Sequence, residues 1–230
     1  MGDRPIKPLV AAIQSLQPQD VTTLEVLCGQ QWLRCAGDLP DNVIIQSLSA
    51  LRNDILREST QSMPVIAPTF THDEMVSFCR AVDTIVASSK NPMANDIVSA
   101  ACTQVKIGLG VVRRQYEALS SLVDFKERQH TRDLEIMKQE FSLDAAGRLD
   151  QRQIIEKWWP HLAEEGVNKI DNPLMIGPVP AIQEMRENLP QFKATKRNHN
   201  IVLSALPILN AAMDQTIEHI EQQPPSRKVR

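Results

Sequence analysis

The chain has 230 residues and a formal net charge of -3, from 25 Lys and Arg against 28 Asp and Glu, which excludes a polybasic coat for nucleic acid. Apolar residues make up 42%, too many for a disordered chain, and four Cys are too few for a disulfide scaffold. Eight Gly leave little material for glycine-rich phosphate loops or a series of tight hairpins.

The pattern along the chain is helical. Ile6, Leu9, Val10, Ile13 and Leu16 repeat at helix spacing after Pro5, and Pro18 is expected to stop the run. Thr22-x-x-Glu25 reads as a capping box opening a second helix, with Val21, Leu24, Cys28, Trp32 and Cys35 as its stripe and Gly37 as its C-cap. Asp41 reads as the N-cap of a third helix, in which Ile44, Leu48, Leu51 and Ile55 mark one buried face. Residues 1–58 are therefore expected to form a small helical unit, and 59–71, with Pro64 and Pro68, a linker.

Residues 72–223 are expected to form the main helical domain. Thr71-x-x-Glu74 is a second capping box, followed by the stripe Met75, Phe78, Cys79, Val82 and Ile85. Asn91 and Pro92 read as the N-cap and first position of the next helix. This helix, about residues 92–142, is the long central one, with no proline between Ala94 and Ser142. Val98, Cys102, Val105, Leu109, Val112, Tyr116, Leu119 and Val123 step by alternating fours and threes, a heptad seam of the coiled-coil kind. An 11-residue step from Val123 to Leu134 restores an apolar face with Met137 and Phe141. Gly108 and Gly110 interrupt the helix interior, marking a kink, a close approach by another backbone, or glycines simply tolerated in a well-packed helix.

Asp150 reads as the cap of a short helix carrying Ile154, Ile155, Trp158 and Trp159 and ended by Pro160. Residues 166–180 read as loop. The last helix is expected over 191–223, kinked near Leu203 to Pro207, and residues 224–230 form a basic tail. The fold expected is all-α: a multi-helix bundle around one long central helix.

Local chemistry is sparse. His72-Asp73-Glu74 falls in a first helical turn, where acids are favoured by the helix dipole. His161 and Glu164 stand three apart, but no matching pair completes a metal set. No G-x-S-x-G occurs, and no Cys lies in a Cys/His context, so no catalytic residue, metal ligand or cofactor is assigned. The cysteines, Cys28, Cys35, Cys79 and Cys102, read as small buried hydrophobes. The N-terminal segment has no apolar signal core and no run of about 18 apolar residues occurs, so the expectation is an intracellular protein, cytoplasmic rather than secreted, with no membrane span.

Three functional readings follow. The first is a non-enzymatic structural protein that self-associates as a homo-oligomer through Leu109, Val112, Tyr116, Leu119 and Val123, with the same heptad spacing equally suited to an intramolecular bundle. In fold class alone this resembles the helical structural proteins of viruses and phages, such as matrix, nucleocapsid or scaffold components, and that analogy implies a role in assembly. Trp158 and Trp159 are candidate partner anchors, Trp being enriched at interface hot spots. The second reading is a nucleic-acid-binding protein using Lys193, Lys196, Arg197 and His199. The third is an enzyme whose site is assembled from several helices.

Overall fold

A computed structural model describes residues 8–30, 43–60, 70–91, 93–140, 155–156, 160–166 and 179–222. Among these residues the regular elements are helices and no strand occurs: α1 (Pro8–Gln14), α2 (Pro18–Gln30), α3 (Val43–Thr60), α4 (His72–Lys90), α5 (Asn95–Glu140), α6 (Pro160–Glu164) and α7 (Val179–Glu221). The protein is all-α, with α5 as its long helix.

The chain forms two compact units: Met1–Leu119 with Asn198–Arg230, and Ser120–Arg197. Helices α5 and α7 contribute to both. The buried side chains of α1, α2 and α3 join one apolar cluster with those of α4, α5 and α7, all within the first unit. The residues assigned to an N-terminal unit, 1–58, thus share a core with later helices. Helix α3 explains this. Besides Ile44, Leu48, Leu51 and Ile55 it buries Ile45, Ser47, Ala50 and Asp54, an arc too wide for one partner. It packs on α2 and on α4.

Helix ends show where local sequence chemistry wins and where it does not. At α4, Thr71 accepts from the Glu74 backbone N–H at 3.2 Å, and the Glu74 carboxylate accepts from the Thr71 backbone N–H at 2.8 Å, completing the expected box. The Thr71 backbone N–H first, and then the Thr71 hydroxyl donating at 2.9 Å, hold the Glu74 carboxyl below its ordinary pKa. The same pattern at Thr22 and Glu25 does not open a helix. Helix α2 starts at Pro18, whose fixed φ suits a first helical position, and Thr22 and Thr23 donate inside it to the Pro18 and Gln19 carbonyls. Asp20 instead reaches back to the Gln17 N–H. Asn91 closes α4, donating to the Ala87 carbonyl, and α5 begins at Asn95. Pro160 opens α6, most of the short helix expected before it lying outside the described residues, and Gly166, at φ +82°, follows α6 in the left-handed conformation that glycine adopts without strain.

Helix α7 starts at Val179, well before the expected 191, and continues through Pro190 and Pro207. Both prolines are exposed. Each removes one backbone donor from the helix without ending it. Asp41, Gly37, Trp32, Cys35, Pro92, Phe141, Asp150, Trp158, Trp159 and the 224–230 tail lie outside the described residues.

A close contact in the first unit joins α4 to α5. A Cβ built on Gly108 would stand 2.1 Å from the Phe78 ring, so the ring lies directly on the α5 backbone. Gly108 therefore marks a close approach, whereas a Cβ at Gly110 meets nothing within 4 Å. Phe78 is the largest fully buried side chain among the described residues. Gly108→Ala should destabilise the protein by about 1–3 kcal/mol through overpacking. Gly110→Ala should stabilise it by up to about 1 kcal/mol through helix propensity. Urea unfolding of the two variants beside the parent checks this opposite pair.

Candidate functional site

The heptad seam of α5 is mostly core. Val98, Cys102, Val105, Leu109, Val112 and Tyr116 are buried in the cluster with α4 and α7 side chains. Leu109, Val112 and Tyr116, read as self-association residues, thus have their apolar surface covered by the chain itself. Leu119 and Val123 are half-buried. Burial raises the pKa of the Cys79 thiol and pushes that of Cys102 up to about 12, so both stay protonated and behave as small hydrophobes. Cys28 is half-buried, its Sγ 3.3 Å from the Ser47 hydroxyl.

The basic residues of α7 differ among themselves. Lys193 and Arg197 are exposed and one turn apart. Lys196 is bonded to Asp124 of α5 at 2.5 Å, and that hydrogen bond, with the carboxylate charge, raises the lysine pKa. His199 is half-buried, its ring edge-on to Tyr116 with centroids 5.3 Å apart at 86°. Burial lowers its pKa. Of the four residues read as a phosphate-binding cluster, one is thus committed to an acid and one to the core edge. The charged segment of α5 is a solvated face: Glu127, Arg128, Thr131, Arg132 and Glu135 line a shallow depression on successive turns of one helix. Among the described residues no group of three or more His, Cys, Asp or Glu is placed to hold a metal ion, and no helix is long and apolar enough to cross a membrane.

The feature that seam reading missed lies on the opposite side of α5. Asp96, Ala100, Thr103, Ile107, Gly110 and Arg114 step by 4, 3, 4, 3 and 4, two residues out of phase with the buried seam. At 100° per residue they fall within one narrow arc, about 200° from the seam. Ile107 is 55% exposed, and Ile97, next to the Asp96 end of the row, is 50% exposed. Ala100 and Thr103 are exposed as well. The Thr103 hydroxyl donates to the Ser99 carbonyl at 3.0 Å, which satisfies it within the helix and leaves the methyl group outward. Between Asp96 and Arg113 the one charged residue is Lys106, and its ammonium is bonded to Asp214 of α7. Four turns of exposed helix thus carry no free charge. That absence was visible in the sequence, but the stronger apolar seam two residues away masked it. Phe125 and Ile136, exposed further along α5, stand singly among charges, as is ordinary for a protein surface.

No protein-family model, no curated protein and no solved structure matches this chain.

The surroundings of His199 make stability depend on pH. Its folded-state pKa is below the unfolded value of about 6.5, so the unfolded chain binds the proton more readily. This contribution to stability is complete above about pH 6.5 and is lost as pH falls through that value toward the folded pKa. Urea unfolding at about pH 7.5 and about pH 5.5 should show a larger acid loss for the parent than for His199→Gln.

Proposed function

We propose that this protein is a non-enzymatic helical assembly protein that associates with further copies of itself through the outward face of α5. The observation that supports the reading is the uncharged, partly apolar stripe from Ala100 to Gly110, flanked by the half-exposed Ile97. A solvated helix face ordinarily carries charged or polar side chains along its length. An exposed apolar stripe with a charged rim is the pattern of an interaction surface. Self-association of this kind suits a structural or scaffold component, the role implied by the analogy with helical viral and phage proteins. The nucleic-acid reading has less support, because binding by Lys196 would first require separation from Asp124.

Covering the exposed half of Ile107 is worth about 1 kcal/mol per copy, or about 2 kcal/mol for a pair. Ile107→Lys should therefore give a folded protein of lower mass than the parent by light scattering, its association weakened at least about tenfold. Val112→Lys, which places a charge in the core, should instead abolish the cooperative unfolding transition. A parent that is monomeric throughout the accessible concentration range defeats the reading.

A further inference from the structure

We infer that two copies of this chain pair antiparallel through α5, about a twofold axis passing near residue 105. The inference rests on the self-association reading and adds its geometry. The stripe Asp96, Ala100, Thr103, Ile107, Gly110 and Arg114 is a heptad row with an acid at one end and an Arg at the other. A twofold axis perpendicular to the helix makes the contact isologous, so each residue meets its mirror position on the partner helix.

With the axis near residue 105, Asp96 of one copy meets Arg114 of the other, Ala100 meets Gly110, and Thr103 meets Ile107. Every position of the stripe finds a stripe position of the other copy. The two small residues fall opposite each other, where they let the backbones come close. The isoleucine lies against the threonine methyl, the hydroxyl being bonded to Ser99 already. Both charges at the ends of the stripe find opposites.

A parallel, in-register pair does none of this. It places Asp96 on Asp96 and Arg114 on Arg114, and like charges in register oppose association. Ala100 then meets Ala100 and Gly110 meets Gly110, so the alanine and the glycine do not face each other across the pair. Neighbouring charges do not disturb the antiparallel choice. Arg113 is bonded to Glu117 at 2.8 Å within its own helix, and Lys106 to Asp214.

Single-cysteine additions in the full chain distinguish the arrangements. A Cβ at Gly110 meets nothing within 4 Å and Ala100 is exposed, so Ala100→Cys and Gly110→Cys are both tolerated. Cross-linking needs Cα atoms within about 7 Å. Under mild oxidation the antiparallel pair predicts a disulfide dimer when the two variants are mixed, joining residue 100 to residue 110 by mass spectrometry, and little from either variant alone. The parent, oxidised alongside, gives the background from its native thiols. A monomeric parent by light scattering removes both the self-association reading and the pairing. Should the parent be oligomeric while each variant cross-links to itself, or while neither cross-links in any mixture, self-association stands and the antiparallel pairing is overturned. Charge reversal gives an independent readout: Asp96→Arg and Arg114→Asp should each weaken association, and the double variant should recover most of the loss.

Discussion

The contact of the Phe78 ring with the backbone at Gly108 is the constraint on which the first unit depends. A glycine costs about 1 kcal/mol in a helix interior, and it is retained where nothing larger fits. Here it lets α4 lie so close that a fully buried aromatic ring covers the α5 main chain. That closeness fixes the rotation of α5 about its own axis. With residue 108 turned to α4, the seam from Val98 to Tyr116 turns to the core, and the residues two positions out of phase, from Ala100 to Gly110, turn to solvent.

Polar groups in the first unit follow the same rotation. Lys106 stands at the side of α5 nearest α7 and bonds to Asp214, 108 residues further along the chain. Arg52 of α3 bonds to Asp83 of α4 at 3.2 Å. Thr216, fully buried on α7, donates its hydroxyl to the Ala212 carbonyl at 2.7 Å and so needs no partner from another helix. Ion pairs at half-exposed positions add little stability of their own. Their consequence is for the surface. By occupying Lys106, the pair with Asp214 leaves the outward side of α5 without a free charge across four turns, and that is the basis of the assembly reading.

In the second unit, the ring of His130 on α5 meets that of Phe192 on α7 edge-on, with centroids 5.1 Å apart at 83°. Asp124 and Lys196 join the same two helices through charge. These contacts reassign the basic residues of α7. A row that reads in sequence as a binding surface for phosphate becomes in part the means by which α7 holds α5.

Helix type, most helix faces and the Thr71–Glu74 cap are determined within a few residues, and all of these were legible in the sequence. A capping box closes over three residues, and a stripe needs only helical spacing to declare itself. The same local logic failed where two local signals compete. Thr22 and Glu25 match a capping box as well as Thr71 and Glu74 do, yet Pro18 lies one turn earlier and starts the helix first. The last helix was expected only from residue 191, with a kink near Pro207, yet α7 begins at Val179 and runs through Pro190 and Pro207, both at exposed positions. The sequence by itself thus determined an all-α chain, a long central helix and the seam that runs along it. Tertiary structure decided what meets that seam. Heptad spacing records only that a face is apolar; whether a helix of the same chain or of another covers it depends on residues some hundred positions away. Here α4 and α7 cover it, so the surface left for a second copy is the quieter row opposite, distinguished in sequence only by the charges it lacks.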